Sequence, residues 1–298
     1  MCAAVGGKME VIMEISEEGN QVIIKNLNDF NIAQTLDCGQ SFRFTKLQDN
    51  KYIIIAKNKL LEIEQTDHEL IFYNTSLQDF NDIWKDYFDL DTDYNIIKNY
   101  LTTNDSKMKD IIKNGDGIRI LGQDFFEMLI TFIISQNKQI PQIKQVIQNL
   151  CVKYGCILQE YHGVKYYSFP TVDQLKCLTE EDFRECKAGF RAKYLVDACA
   201  KVASGDISKE NLIHLSSLEI LEQLCTIKGV GVKVSNCVLL FGLNRKEAFP
   251  IDVWIKRIME NLYFMEETKL EKIQAFAEEK FGKYGGYAQQ YLFYSARK

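Results

Sequence analysis

The sequence predicts an α+β fold, in which an N-terminal antiparallel β-sheet domain with helices is followed by an all-α domain. Residues 11–75 contain short apolar runs with alternation, such as Val22-Ile23-Ile24, and polar clusters typical of turns separate them. From about Leu77 the apolar residues recur at three- and four-residue spacing, which is typical of amphipathic helices. This spacing is clearest over residues 119–150, 172–203, 216–244 and 252–282.

The chain of 298 residues is long enough for two domains, which we place at residues 11–118 and 119–298. Residues 1–10 are expected to be a disordered extension. Charge differs between the two domains, because residues 1–118 carry 12 Lys and Arg against 20 Asp and Glu, whereas residues 119–298 carry 24 against 21. The helical domain can therefore present a basic face to nucleic acid, although the formal net charge of the chain is −5.

Composition argues against several classes of protein. The nine cysteines form no CxxC pair and there are three histidines, so we expect no zinc site. No apolar stretch approaches the ~18–20 residues of a membrane span, and the N-terminus does not have the pattern of a signal peptide. These features predict an intracellular protein, located with the nucleoid in a bacterial cytoplasm or in a eukaryotic nucleus.

The pattern of apolar residues predicts a helix on each side of the sequence Gly229-Val230-Gly231. The first covers about Leu218–Ile227, and the second starts near Val232 and continues through Phe241. Glycines permit a sharp turn and a close approach of a ligand, and the free N–H groups of the following helix N-terminus attract anions. The pattern is therefore compatible with a site for a DNA phosphate, but an ordinary helix connection with a glycine cap is the more common structure for it.

Lys233 lies in the first turn of this otherwise apolar helix. The positive end of the helix dipole and partial burial both disfavour a cation there, so they favour a neutral, nucleophilic amine. The alternative is an ordinary surface lysine whose stem lies along the protein.

Asp252 follows Pro250-Ile251 and precedes another apolar helix, 19 residues after Lys233. A carboxylate in this position can cap the helix. It can also stabilise the positive charge that develops on a sugar when its bond to a base breaks. Both interpretations remain open on the residues alone.

Together, the Gly-Val-Gly turn, Lys233 and the Pro-Ile-Asp motif resemble the helix–hairpin–helix DNA glycosylase superfamily, and more specifically its 8-oxoguanine DNA glycosylases. The resemblance covers about residues 20–298. Further segments carry it in the same order along the chain: Cys38-Gly39-Gln40-Ser41-Phe42-Arg43-Phe44, Tyr87-Phe88-Asp89-Leu90-Asp91, Phe132-Ile133-Ile134-Ser135-Gln136-Asn137, Gly189-Phe190-Arg191-Ala192-Lys193-Tyr194 and Gly285-Gly286-Tyr287-Ala288-Gln289.

The resemblance implies a base-excision-repair glycosylase with lyase activity, acting without a cofactor or metal as a monomer on double-stranded DNA that contains an oxidised purine. Lys233 would be the nucleophile and Asp252 the catalytic carboxylate. The Gly39 carbonyl would accept a hydrogen bond from N7–H of the lesion, and Gln289 would bond its Watson–Crick edge. Cys237 and Phe293 would stack on its two faces.

The resemblance also implies roles on the DNA. The damaged base has to leave the duplex before it can enter a pocket. Phe190 would be the wedge that fills the gap, while Asn137 and Arg191 would contact the orphaned partner base. The groups expected to hold phosphates are Gly229, Gly231, Val234 and Trp254.

The sequence departs from the family pattern near these residues. Gln142 stands where eukaryotic members carry a second arginine that reads cytosine, and Phe190 replaces a tyrosine. We therefore expect a looser preference for the base opposite the lesion. Three alternatives remain: the same fold acting on another oxidised base, a non-catalytic helix–hairpin–helix protein that binds the DNA backbone, and an unrelated Schiff-base enzyme.

Overall fold

A computed structural model describes residues 13–297, so the predicted extension at residues 1–10 lies outside the described residues. The N-terminal part is built on a six-stranded antiparallel sheet. Its strands are β1 (Glu14–Glu17), β2 (Gln21–Lys25), β3 (Phe44–Gln48), β4 (Lys51–Ala56), β5 (Lys59–Gln65) and β6 (Glu69–Tyr73). Their order across the sheet is β1-β2-β6-β5-β4-β3. The predicted antiparallel sheet is confirmed.

The two-residue turn between β4 and β5 sets the register of the sheet centre. Lys57 and Asn58 both have positive φ angles, of 50° and 58°, as hairpin turns that match the twist of the strands require. Ile54 is consequently opposite Leu61, and both side chains are fully buried. The apolar face of the sheet packs on aromatic residues of the segment that follows β6, among them Phe80 and Trp84.

Helices account for most of the remaining chain. Those up to residue 113 are α1 (Ile32–Asp37), α2 (Leu77–Asp79), α3 (Lys85–Tyr87), α4 (Tyr94–Asn104) and α5 (Met108–Lys113). The later ones are α6 (Phe125–Ser135), α7 (Ile140–Tyr154), α8 (Val172–Leu175), α9 (Glu180–Glu185), α10 (Ala192–Ala203), α11 (Lys209–Leu212), α12 (Ser217–Cys225), α13 (Val232–Gly242), α14 (Val253–Met259), α15 (Leu270–Phe281) and α16 (Gly285–Ala296). Short π-helical turns cover Phe80–Trp84 and Glu260–Phe264, and short 3-10 turns cover Gly189–Arg191 and Gly282–Tyr284.

Helix α6 lies at the centre of the helical part. Every residue from Phe125 to Ile134 except Glu127 is buried, and α13 packs along it. Because α13 is itself buried from Val234 to Gly242, its N-terminal turn is held firmly where it emerges at the surface. Among residues 13–297, no helix is both long enough and apolar enough to cross a membrane.

Helices α4 and α5 pack into the core of the helical part, although they precede the predicted boundary at residue 118. Tyr94, Ile97, Met108 and Ile111 are buried in that core. The sheet and the helical part are therefore connected through a shared segment, and the division into domains at residues 118 and 119 stays a prediction.

A β-hairpin interrupts the helical part, where the sequence analysis did not predict strands. Its strands are β7 (Ile157–Tyr161) and β8 (Val164–Tyr167). The turn of the hairpin is attached to the sheet, because Tyr161 donates a hydrogen bond to the buried Glu62 carboxylate at 2.6 Å and His162 Nε2 lies 2.8 Å from the same group. The hairpin thus joins the two parts of the molecule through polar contacts.

A buried lysine gives the fold a pH dependence that can be measured. The Nζ atom of Lys246 is buried, and the Asp89 carboxylate lies 3.8 Å away. Burial lowers the pKa of Lys246 from 10.5 to about 8, although Asp89 opposes this effect. Between pH 8 and 10.5 the folded state therefore releases a proton that the unfolded state keeps, so this residue adds stability as the pH rises.

We compare the wild-type protein with Lys246→Met. The free energy of unfolding of the wild type minus that of the variant is expected to increase by up to about 3 kcal/mol between pH 7.5 and 10.5. Methionine has a similar volume and does not titrate, so the variant provides the baseline for all other groups. Urea unfolding of both proteins across this pH range measures the difference. A difference that stays constant with pH would contradict the prediction.

Candidate active site

The turn between α12 and α13 has the conformation that its two glycines were predicted to provide. Gly229 has a φ of 74°, and a Cβ atom there would lie 2.5 Å from the ring of Tyr194. Gly231 caps α13 with an extended backbone, and a Cβ atom on it would meet nothing within 4 Å. Gly229 thus allows the turn to pack against the protein, whereas Gly231 faces open space.

The amide groups at the start of α13 are free to bind an anion. The first helical hydrogen bond runs from Ser235 N to Gly231 O at 3.0 Å. The preceding N–H groups of Val232, Lys233 and Val234 therefore have no carbonyl partner within this helix. An anion at this helix end would also interact favourably with the helix dipole.

Lys233 lies in the first turn of α13, as predicted, and its side chain extends inward along the helix. Its Nζ atom is 5.5 Å from the centre of the Phe132 ring. The thiol of Cys237 lies one helical turn further on, on the same side of the helix, and is close enough for the lysine to affect its pKa. Burial raises the pKa of that thiol, and the nearby lysine opposes the increase. The thiol is therefore a neutral neighbour of the amine.

Asp252 is the N-cap residue of α14, and its Oδ1 atom accepts a hydrogen bond from Ile255 N at 2.8 Å. The capping role predicted from the sequence is confirmed. The same carboxylate lines the space next to Lys233, so the cap also fixes its position relative to the amine.

A surface groove of about 1000 Å³ runs past both residues. Three chain segments form most of its walls, namely the turn after α6 (135–139), the start of α13 (231–234) and the start of α14 (251–256). Four of the residues predicted to contact DNA line it: Asn137, Gly231, Val234 and Trp254. Trp254 is 45% exposed, so its ring is available to a ligand in the groove.

A small cavity opens from the same place into the protein. All six residues predicted for catalysis and for the damaged base line it: Gly39, Lys233, Cys237, Asp252, Gln289 and Phe293. They come from four separate regions of the chain. Lys233 and Asp252 line both the groove and the cavity, so they stand where the two spaces meet.

The cavity has a volume of about 50 Å³, which admits a few water molecules but not a purine. The ring of Phe293 forms part of its wall and packs closely on Gly39, since a Cβ atom on Gly39 would lie 2.8 Å from Cε1 of Phe293. Arg297 lies over the other part of this ring at 5.3 Å from its centre. Entry of a base therefore requires the Phe293 side chain or its neighbours to shift.

Several residues of the cavity were not predicted from the sequence. Gln290 is the polar one among them, is 3% exposed and hydrogen-bonds Gln289. The others are Cys38, Phe132, Phe241 and Pro250. Helical spacing could have indicated Gln290, because it lies three residues before Phe293 and so shares a face of α16 with it.

The residues predicted for the wedge and the partner base lie around the turn after α6. Phe190 is 53% exposed at the tip of the 3-10 turn. Arg191 is buried beneath it, and its guanidinium donates to the backbone carbonyls of Gln136, Asn137 and Ala188. The structure thus brings Asn137 and Arg191 together, but Arg191 supports the Asn137 turn rather than facing solvent. A contact of either residue with DNA stays a prediction.

Comparison with known proteins places this arrangement in a family. The family model described as HhH-GPD superfamily base excision DNA repair protein matches residues 130–283, more than half of the chain. The chain belongs to this superfamily. A second family model, described as 8-oxoguanine DNA glycosylase, N-terminal domain, matches residues 22–129, directly before the segment that the superfamily model matches.

Solved structures of other superfamily members have the same fold over nearly the whole chain. MBOgg1 in complex with a low-affinity DNA ligand is 46% identical, with a TM-score of 0.93 over 96% of this chain and 98% of that chain. A Clostridium acetobutylicum 8-oxoguanine glycosylase/lyase, bound to double-stranded DNA with cytosine opposite 8-oxoG, is 43% identical, with a TM-score of 0.92 over 95% of this chain and 97% of its own. An N-glycosylase/DNA lyase of Saccharomyces cerevisiae is 29% identical over 90% of this chain and 84% of the yeast protein.

Proposed function

We propose that this superfamily member is a bifunctional glycosylase and lyase that removes 8-oxoguanine from duplex DNA. The observation that carries the proposal is the position of Lys233 and Asp252, where a groove at a helix N-terminus meets a small cavity. A nucleotide whose phosphates lie in the groove and whose base enters the cavity would have its sugar between these two side chains. In this proposal the protein is a monomer that acts on DNA inside the cell.

The lysine supplies the nucleophile. Its nitrogen attacks C1′ of the extruded nucleotide, the bond from C1′ to the base breaks, and the base leaves with the bonding electrons and takes up a proton. The nitrogen then loses a proton, and its electron pair forms the Schiff base as the bond from C1′ to the ring oxygen breaks, with the ring oxygen keeping the bonding electrons and taking up a proton. Loss of a proton from C2′ then expels the 3′ phosphate and cuts the strand.

The carboxylate stabilises the charge that develops on the sugar. As the bond to the base lengthens, positive charge builds up on C1′ and the ring oxygen, so a fixed anion stabilises the transition state more than the substrate. Asp252 is suited to this role, because its hydrogen bond to Ile255 N holds it in place before the reaction begins.

The cavity distinguishes the damaged base by one hydrogen bond. The Gly39 carbonyl accepts from N7–H, which 8-oxoguanine has and guanine lacks. Leaving a buried acceptor unpaired costs roughly 1–3 kcal/mol, so this bond alone gives about a ten- to hundredfold preference. Cys237 and Phe293 sandwich the base, and Gln289 bonds its Watson–Crick edge.

The groove holds the DNA backbone and the open duplex. Phosphates bind at the free amides of Val232–Val234 and beside Trp254. Phe190, exposed at the tip of its turn, fills the stack that the base has left.

Release of free bases from defined duplexes tests the proposal. We expect release of 8-oxoguanine followed by strand cleavage, and much slower release of an oxidised pyrimidine from a matched duplex. Preferred release of the pyrimidine would favour the same fold acting on another lesion. Binding of both duplexes with no base release would favour a non-catalytic protein that holds the DNA backbone.

We expect a looser opposite-base preference than the family pattern implies. Gln142 lines the groove at the position where eukaryotic members of the family carry an arginine, and it is neutral, so it distinguishes the partner bases less strongly. Single-turnover excision of 8-oxoguanine opposite each of the four bases measures the preference. We predict that the rate opposite cytosine exceeds the others by less than about a hundredfold, which corresponds to about 2.7 kcal/mol. A larger preference would contradict the prediction.

A further inference from the structure

Helix α16 places two adjacent amides, those of Gln289 and Gln290, in the wall of the base cavity. Gln290 Nε2 donates to Gln289 Oε1 at 2.8 Å, and both residues are at least 95% buried. The Oε1 atom of Gln290 is buried, and no donor within residues 13–297 is in hydrogen-bond reach of it. Gln290 thus lines the cavity and carries a buried acceptor that the described part of the protein does not use.

Such an acceptor is costly where an apolar side chain of similar size would fit. A buried polar atom without a partner destabilises the folded protein, whereas methionine at the same position would carry no unpaired oxygen. The cost is offset if a ligand in the cavity donates a hydrogen bond to this oxygen. The feature therefore points to an N–H group on the base that the cavity receives.

The hydrogen bond between the two amides determines what each presents to that base. Because Gln289 Oε1 already accepts from Gln290, Gln289 has its Nε2 donor available, whereas Gln290 has its Oε1 acceptor available. One donor beside one acceptor matches the edge of a guanine-type base, which carries the O6 acceptor at one end and the N1–H and N2–H₂ donors at the other. The exocyclic amino group is the donor furthest from O6.

We propose that Gln290 is a specificity-determining residue that accepts a hydrogen bond from the 2-amino group of the excised purine, an inference that rests on the proposed function. The same residue holds the amide of Gln289 in the orientation that bonds O6. The cavity then reads both ends of the Watson–Crick edge with two neighbouring residues. A purine that lacks the amino group leaves the Gln290 oxygen unpaired.

Two lesions that differ only in this group test the proposal, namely 8-oxoguanine and 8-oxohypoxanthine, each opposite cytosine in the same duplex. Single-turnover excision rates are measured for the wild type and for Gln290→Met. We expect the ratio of the two rates to favour 8-oxoguanine in the wild type, and this ratio to fall by about ten- to a hundredfold in the variant, since one hydrogen bond to a buried acceptor is lost.

The ratio is measured on one preparation, so any unfolded fraction of the variant cancels. Gln274→Met serves as the control, because Gln274 hydrogen-bonds Glu278 at the surface, and its ratio should equal that of the wild type. A Gln290→Met ratio equal to that of the wild type would overturn the proposal and leave the proposed function intact. A wild-type protein that binds the 8-oxoguanine duplex but releases no base would overturn the proposed function itself.

Discussion

Lys233→Gln is expected to abolish covalent trapping by borohydride on a duplex that contains one 8-oxoguanine, and to slow release of the base by at least about 10³-fold. The glutamine amide has no basic nitrogen, so it can neither attack C1′ nor form the imine that borohydride reduces. Its shorter side chain still fits beside Phe132 and Cys237, so the fold and the binding of DNA should persist. Trapping is measured by the shift of the DNA band on a denaturing gel.

Lys176→Gln is the matched control for this prediction. Lys176 is exposed, pairs with Asp173 at 2.6 Å and lines neither the groove nor the cavity, so its replacement should leave trapping at the wild-type level. Trapping that survives in Lys233→Gln would show that another amine forms the Schiff base. Loss of trapping together with loss of DNA binding would instead indicate a role in holding the backbone.

Local features of the site could be predicted from the sequence because they depend on a few neighbouring residues. The position of Asp252 after Pro250-Ile251 predicts a helix N-cap, and the structure confirms it. The four-residue spacing between Lys233 and Cys237 predicts that they lie on the same side of α13, and both line the same cavity. Alternating apolar residues likewise indicated the strands that contain Val22 and Ile54.

Features that depend on the tertiary structure could not be derived in this way. Gly39 follows a short helix of the sheet domain and Phe293 belongs to the last helix, yet a Cβ atom on Gly39 would lie 2.8 Å from the Phe293 ring. No local pattern connects residues 254 positions apart, so only the resemblance to a family placed them in one pocket. The β7–β8 hairpin was missed because each strand is short and its stability depends on distant contacts with Glu62.

The orientation of side chains also could not be predicted from the sequence. The sequence places Arg191 next to the exposed Phe190, and nothing in it indicates that the guanidinium turns inward to the carbonyls of Gln136 and Asn137. Similarly, a sequence with two consecutive glutamines does not show that both reach the cavity or that one donates to the other. Such orientations follow from the packing of several elements and from competition between hydrogen-bond partners.

Asp252→Asn and Asp252→Ala are expected to slow excision to a similar extent, by about 10²- to 10³-fold, because both remove the negative charge that stabilises the sugar cation. They should differ in stability. Asparagine caps helices about as well as aspartate, so the free energy of unfolding of Asp252→Asn should be within about 0.5 kcal/mol of the wild-type value. Asp252→Ala lacks the hydrogen bond to Ile255 N, so its free energy of unfolding should be lower by about 1 kcal/mol. Single-turnover excision and urea unfolding measure the two effects independently.

A second aspartate that caps a helix serves as the control, because it shows the effect of losing a cap without losing a charge next to the substrate. Asp124 caps α6 through the same kind of bond, to Glu127 N at 2.9 Å, and lines neither the groove nor the cavity. Asp124→Ala should therefore lose a similar free energy of unfolding while excision remains near the wild-type rate. If Asp252→Asn excised the base at the wild-type rate, the carboxylate would serve only as a helix cap and would have no catalytic role. An equal rate loss in Asp252→Asn and Asp252→Ala, despite their unequal stability, is the result that only a catalytic charge explains.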